Sequence, residues 1–180
     1  ESSPSAIDMN DGRGGRGGYN NSRQQAAPTR SLEQINDEAL CKCLQYGTTL
    51  EHLDVSDNNI HITQATCTQL FTSCSSLQHV NLADNVFVGG HGEEGMGVAK
   101  FDANLLSQSV ALVHLNLSKS VDLARSTGTS ALALIPNLQH LNITDCNATD
   151  ELVAALAKHP KLKTLNMSTN PYVTYQGILS

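Results

Sequence analysis

The residues that first suggest chemistry in this sequence are four histidines at one position of a repeated nine-residue segment. The segment occurs five times, and its third position holds His52, His79, His114, His140 and Thr164. Its fifth position is equally regular and holds Asp54, Asn81, Asn116, Asn142 and Asn166. An imidazole can donate or accept hydrogen bonds, and its charge changes near about pH 6.5. The spacing therefore predicts two regular polar columns that can contact a partner.

The five segments have the pattern of short strands. They are LEHLDVSDN from Leu50, LQHVNLADN from Leu77, LVHLNLSKS from Leu112, LQHLNITDC from Leu138 and LKTLNMSTN from Leu162. Positions four and six are apolar between polar neighbours, as in a strand with one buried face. Positions three and five then point away from the core, and stacked parallel strands would space them about 4.8 Å apart. We expect these columns to bind a partner; the alternative is that short polar residues merely suit the repeat.

No constellation of residues in the sequence points to catalysis or to a cofactor. There is no G-x-S-x-G elbow and no HExxH helix, and the glycine-rich stretch from Gly89 lacks a P-loop ending. Only Cys41 and Cys43 of the five cysteines are close in sequence, without a second pair at zinc-site spacing. We therefore predict a protein that is not an enzyme and binds no metal. The odd cysteine count favours reduced thiols and an intracellular, cytoplasmic location.

The repeat pattern predicts the fold class. Each segment fits L-x-x-L-x-L-x-x-N/C, and the starts of the segments are 27, 35, 26 and 24 residues apart. The chain thus resembles leucine-rich-repeat proteins, which implies an α/β solenoid with parallel strands on its concave face and helices on its convex face. A ninth-position side chain would satisfy backbone groups in the turn after each strand. Ser120 replaces Asn or Cys at one ninth position, so we expect looser packing at that repeat.

Apolar residues between the strand segments predict the helices. Three stripes lie on helical faces, namely Ile62, Cys67, Leu70, Phe71 and Cys74; Val98, Phe101, Leu105 and Leu106; and Leu152, Val153, Leu156 and Ala157. Thr149 is the predicted N-cap of the third helix, and Asp150 and Glu151 form its acidic first turn. The phrase NDEALCKCL from Asn36 predicts a further helix before the first strand.

Two closer resemblances concern the subclass of the repeat. A strand and a helix at a period near 26 residues are similar to the ribonuclease-inhibitor-like and cysteine-containing subclasses, over residues 35–180. The stretch from LEHLDVSDN to LFTSCSSLQHVNLADN also resembles repeats of the CARMIL family, which implies an actin-regulating, cytoskeletal role. The membrane-binding and capping-protein-binding segments of that family are not seen in the sequence. Because no polar capping repeat is visible at either end, we expect a piece of a longer solenoid.

Two segments differ from the repeats. Residues 1–30 contain GRGGRGG and few apolar side chains, which predicts a flexible tail or linker before a repeat domain over 31–180. Arg13 and Arg16 of this tail are candidate RNA contacts through charge and stacking. The long second interval contains an insertion over 89–97, in which the candidate partner contacts are Gly89, His91, Glu93 and Glu94. The alternative for this insertion is a hydrated loop.

Charge and repeat pattern together favour a function in protein binding. The chain carries 11 Lys and Arg against 17 Asp and Glu, a formal charge of −6, which disfavours a broad nucleic-acid surface. We predict a non-catalytic scaffold in a larger assembly, without a membrane span or a small-molecule substrate. One alternative is a structural subunit of a ribonucleoprotein whose tail contacts RNA. Another is a regulatory repeat domain of a GTPase-activating or actin-regulating protein.

Overall fold

The computed structural model describes residues 35–87, 104–120 and 129–179. All of them lie in the unit Gln34–Ser180, one of two into which the chain divides. Several residues with a predicted role fall outside the described ranges, and these are Arg13, Arg16, Gly89, His91, Glu93, Glu94, Val98 and Phe101. What the sequence predicts for the tail and for the insertion therefore stays a prediction.

Five parallel strands form the main sheet, as the repeat predicts. They pair in the order β1 (His52–Asp54), β3 (His79–Asn81), β5 (His114–Asn116), β6 (His140–Asn142) and β7 (Thr164–Asn166). Each strand begins two residues after the leucine that opens its segment. The register joins like positions, so that His52 lies opposite His79 and Asp54 lies opposite Asn81. The positional columns of the sequence are therefore rows of neighbouring residues in the sheet.

A second pair of parallel strands is not anticipated by the repeat pattern. It consists of β2 (His61–Ile62) and β4 (Val86–Phe87), in the segments that follow β1 and β3. The assignment of Ile62 to the following helix is therefore wrong, because Ile62 is buried in β2 and the helix begins at Gln64. A two-residue strand carries no periodicity of its own, so a single apolar residue fits either element.

Short helices connect the strands. They are α1 (Asp37–Leu44), α2 (Gln64–Thr68) with a π-helical turn (Gln69–Ser73), α3 (Asn104–Ser107), a 3-10 helix (Thr129–Leu134), α4 (Asp150–Ala157) and α5 (Tyr175–Leu179). Each contacts the next along the chain. The Asn36 side chain caps α1 by accepting a hydrogen bond from the Ala39 N–H at 2.9 Å. Helix α4 follows Thr149 as predicted, although the Thr149 hydroxyl makes no capping bond.

One hydrophobic core joins the strands to the helices. Positions four and six of the inner strands are buried, and these residues are Val80, Leu82, Leu115, Leu117, Leu141 and Ile143. They belong to one cluster with helical leucines such as Leu44 and Leu156. Leu115 is only 2% exposed, which confirms that position four faces the core. In the end strands Leu53 and Leu165 are half-buried, because each of those strands has a neighbour on one side only.

Ninth-position side chains tie each repeat to the one before it. The Asn85 amide donates to the carbonyl oxygens of Val55, in the preceding repeat, and Leu82, in its own. Asn170 makes the same pair of contacts in the last repeat. The looser packing expected at Ser120 is not seen there, because Ser120 is fully buried and its hydroxyl donates to the Leu82 carbonyl at 3.4 Å. A short hydroxyl thus replaces the amide as the donor to the preceding repeat.

Candidate functional site

Ten residues predicted to contact a partner lie in two adjacent rows on one side of the main sheet. We call this set the ladder face; it comprises His52, Asp54, His79, Asn81, His114, Asn116, His140, Asn142, Thr164 and Asn166. Together with the position-four residues of the same strands, they line a recess of about 750 Å³. The repeat pattern assigns those position-four residues to the core alone. In the inner strands these side chains, Val80, Leu115 and Leu141, are buried in the core, as the pattern predicts.

The four histidines of the ladder face form a continuous stack. Centroids of successive rings are 4.2, 4.2 and 4.1 Å apart, and the ring planes differ by only 15°, 14° and 9°. At the far end, the Nδ1 atom of His140 lies 2.6 Å from the Thr164 hydroxyl. The strand register causes the stacking, because it pairs the histidines of neighbouring strands with one another. The equal spacing of the strands thus becomes an equal spacing of rings.

The two inner imidazoles have one nitrogen each that is cut off from water. The Nδ1 atoms of His79 and His114 are buried and have no hydrogen-bond partner among the described residues. Burial lowers the pKa of His79 below its ordinary value, and the charges of His52 and His140 lower it further. Burial is also the main cause of the lowered pKa of His114, followed by the charges of the other three rings. Both rings are therefore neutral near pH 7.

The neighbouring column of Asp and Asn has a structural role that explains its regularity. In every strand of the main sheet the side-chain Oδ1 accepts a hydrogen bond from the backbone N–H two residues later. The pairs are Asp54–Ser56 at 3.0 Å, Asn81–Ala83 at 3.3 Å, Asn116–Ser118 at 3.1 Å, Asn142–Thr144 at 3.0 Å and Asn166–Ser168 at 3.2 Å. This contact is an Asx turn, which bends the chain out of the strand. The Oδ1 atoms of this column therefore have a role within the repeat, which agrees with the alternative that short polar residues suit the repeat.

The Asx turns also fix which amide atom each asparagine has free. The Oδ1 atom accepts one hydrogen bond in Asn81 and Asn116 and two in Asn142 and Asn166, so the Nδ2 atom with its two N–H groups is the main group left for other contacts. Asn81 donates through Nδ2 to Asp54 at 3.0 Å and to Ser56 at 3.2 Å. The contacts from Ser56 and Asn81 lower the pKa of the Asp54 carboxyl, with the Ser56 hydroxyl as the largest cause. Asp54 therefore remains ionised at neutral pH.

The turn after each strand of the main sheet places a non-glycine residue in the left-handed region. The eighth-position residues Asp57, Asp84, Lys119, Asp145 and Thr169 have φ between 54° and 61°. Asp tolerates this conformation better than most residues, whereas a β-branched residue rarely adopts it. Four of these residues also donate a backbone N–H to the next repeat, whereas Thr169 follows β7, the last described strand of the main sheet. The repeat pattern makes no separate prediction for this column. The three Asp residues among its five members are nevertheless a sequence signal for a turn residue with positive φ.

The described side chains include no group of metal ligands, and three of the described thiols are buried. Among residues 35–87, 104–120 and 129–179, no three His, Cys, Asp or Glu are grouped to bind a metal ion. Parallel stacked rings direct their lone pairs side by side, whereas a zinc ion needs ligand atoms that converge at about 2.0–2.1 Å. Burial raises the pKa of the Cys67 thiol to about 12 and that of Cys146 to about 11, so both remain protonated. No described helix is long and apolar enough to cross a membrane.

Comparison with known families agrees with the repeat pattern. The family model described as Leucine Rich repeat matches residues 48–61, which include β1, and residues 135–157, which include β6 and α4. No curated protein matches the chain. The match supports a leucine-rich-repeat protein, and the parallel sheet agrees with that type of fold. The ribonuclease-inhibitor-like subclass and the CARMIL resemblance are not confirmed by it.

Proposed function

We propose that this leucine-rich-repeat chain is a non-catalytic scaffold that binds a protein partner through the ladder face. Leucine-rich repeats are typically non-catalytic binding modules, which is the starting point for this proposal. The observation that carries it is the in-register row of four imidazoles beside a row of amides, lining an open recess. In the proposed solenoid this face is the concave one, and the helices lie on the convex side.

Rigidity of the ladder face supports a binding role. Its side chains stand on strands whose opposite faces are buried in the core, and the Asx turns fix the amides. A surface that is already ordered loses little conformational entropy when a partner binds. The two inner rings are ordered in the same way, because His79 and His114 are each held between two neighbouring rings.

Other contact regions remain proposals of lower rank. The insertion over 89–97 is a candidate second contact, and the tail with Arg13 and Arg16 is the candidate for RNA. Among the described residues no Lys or Arg lines the recess, which disfavours RNA on the ladder face itself. A regulatory role in a GTPase-activating or actin-regulating protein is compatible with the same binding surface.

The cysteines bear on the proposed location of the protein. All five cysteines are free, which supports a reducing, cytoplasmic location.

The proposed function can be tested on the protein that co-purifies with the chain. Its affinity is measured for the wild-type chain, for the double variant His79→Ala/His114→Ala and for the matched control His61→Ala. His61 lies in β2, is exposed and does not line the recess. We expect the double variant to lose about tenfold or more in affinity, as for central interface residues, and the control to lose none.

Two further variants locate the site if the ladder face is not used. One lacks residues 1–30, and the other replaces residues 89–97 with a Gly-Ser linker of equal length. Unchanged affinity in the double variant, with a loss in the linker variant, would move the site to the insertion. Salt-sensitive RNA binding that disappears with residues 1–30 would favour the ribonucleoprotein function instead.

A further inference from the structure

The ladder face has free hydrogen-bond donors and very few free acceptors. Every Asp or Asn Oδ1 on it is engaged in an Asx turn. The second oxygen of Asp54 accepts from Asn81. By contrast, the Nδ2 groups of Asn116, Asn142 and Asn166 donate to no other described residue and line the recess. The amide column therefore presents mostly N–H groups.

The histidine stack adds donors to this surface. A neutral imidazole carries one proton, and the Nδ1 atoms of His79 and His114 are buried without a partner among the described residues. A buried N–H without an acceptor is rarer in proteins than an unsatisfied acceptor. The proton is therefore assigned to Nε2, and Nδ1 keeps its lone pair. At His140 the Thr164 hydroxyl can donate to Nδ1, which leaves the same Nε2–H tautomer.

The charges around the recess disfavour two kinds of partner. Nucleic-acid binding depends on Lys and Arg, and neither is among the described residues that line the recess. A basic peptide would bring further donors to a face whose only described carboxylate, Asp54, is already occupied. Carboxylates, in contrast, are acceptors only, and they form the stronger charge-assisted hydrogen bonds. The net charge of −6 opposes such a partner only at short range, because salt screens it beyond about 8 Å.

We infer that the partner segment held by the ladder face is an extended acidic peptide. This inference rests on the proposed function and specifies the chemistry of its partner. Five strands about 4.8 Å apart span about 19 Å, which is the length of about six extended residues. The peptide lies across the strands, along the two columns, with its carboxylates and main-chain carbonyls on the His and Asn donors.

Protons should strengthen this complex. Among the described residues, the titratable groups that face the stack are the four imidazoles and Asp54, and β7 contributes none to the recess. In the free protein the imidazole charges oppose one another at 4.1–4.2 Å. Bound carboxylates favour the charged form, so binding takes up protons. Affinity for an acidic peptide therefore increases as the pH falls from about 7.5 to about 5.5.

The test uses capped, fluorescent hexapeptides of glutamate, glutamine and lysine, together with a single-stranded oligouridine. Binding to the whole chain is measured by anisotropy at several pH values and at about 0.15 M salt, where the net charge is screened beyond about 8 Å. At pH 6 we expect hexaglutamate to bind at least about tenfold more tightly than hexalysine. The double variant His79→Gln/His114→Gln keeps a neutral donor at each position, so it should lose the increase in affinity at low pH. The control His61→Gln should behave like the wild-type chain.

The possible failures are distinguishable. Tighter binding of hexalysine, hexaglutamine or oligouridine, abolished by His79→Ala/His114→Ala, would overturn the acidic partner but keep the ladder face as the site. Hexaglutamate binding that is unaffected by both double variants would overturn the inference and count against the face itself. The absence of binding by all four probes would have the same meaning, since a preformed donor surface should retain at least one of them.

Discussion

Gly177 of α5 lies directly against the carboxylate of Asp150 at the start of α4, where a β-carbon on residue 177 would collide with it. The same carboxylate accepts hydrogen bonds from the Thr174 N–H at 2.7 Å and from the Thr174 hydroxyl at 2.6 Å. Asp37 and Thr63 form an equivalent pair in the first repeats. One carboxylate thus fixes the start of the next helix, and at Gly177 the contact leaves no room for a side chain.

Replacing this glycine should therefore reverse the usual effect of helix propensity. In an unconstrained helix, Gly→Ala stabilises by about 1 kcal/mol. We expect Gly177→Ala to lower the free energy of unfolding instead, because Ala must displace the Asp150 carboxylate. The matched control is Gln176→Ala in the same helix, at an exposed position. Urea denaturation measures both variants, and a stabilised Gly177→Ala would show that α5 does not sit against Asp150.

Thr169 should be a point of backbone strain that substitution can relieve. It is β-branched and has φ of 59°, in a column where Asp145 has φ of 54°. We expect Thr169→Asn to raise the free energy of unfolding by about 1 kcal/mol, because Asn tolerates the left-handed region. The reverse change, Asp145→Thr, should lower it by a similar amount. No difference between the two variants would mean that the turn relaxes around residue 169.

Asn170 should contribute more to stability than its counterpart Asn58. The Asn170 side chain accepts from the N–H groups of Cys146 and Ala148 and donates to the carbonyls of Ile143 and Met167. Removing it leaves several buried groups unsatisfied, so Asn170→Ala should cost about 2–5 kcal/mol. Asn58 donates only within its own turn, and Asn58→Ala should cost about 1 kcal/mol. Equal costs in denaturant titrations would contradict the bridging role.

The histidine stack should make stability depend on pH in a defined window. In the folded state the pKa values of His79 and His114 are lowered, mainly by burial. The unfolded chain therefore binds more protons once the pH falls below about 6.5. Stability from these rings is fully present above that pH and is lost as the pH falls through the lowered pKa values. Thermal midpoints of the wild-type chain should fall more steeply below pH 6.5 than those of His79→Gln/His114→Gln.

Two carboxyl groups make stability depend on pH in a separate, more acidic range. The pKa values of Asp54 and Asp150 are lowered by hydrogen bonds from Ser56 and Thr174. Their contribution to stability is present above the ordinary Asp pKa of about 3.9 and is lost below it.

The histidine prediction is contradicted by one result. If the thermal midpoint falls equally steeply between pH 7 and 5 in the wild-type chain and in His79→Gln/His114→Gln, the stack is not the cause of the pH dependence.

The strands and columns were predictable because a strand with one buried face has a two-residue period. His79 and His114 stack because their segments repeat that period in register. The β2–β4 pair was not predictable, since two residues show no period. The burial of Ser120 was missed because its carbonyl partner, Leu82, lies in another repeat. The free donors of the ladder face were equally hidden, because they depend on contacts in three dimensions.

Chemical modification of the histidines by diethyl pyrocarbonate tests the central claim most directly. The reagent acylates accessible imidazoles, and mass spectrometry of the free chain and of its complex with the co-purifying partner gives the rate at each histidine. We predict that the partner slows modification of His52, His79, His114 and His140, whereas His61 in β2 reacts at an unchanged rate. If all five histidines react equally fast with and without the partner, the ladder face is not the binding site.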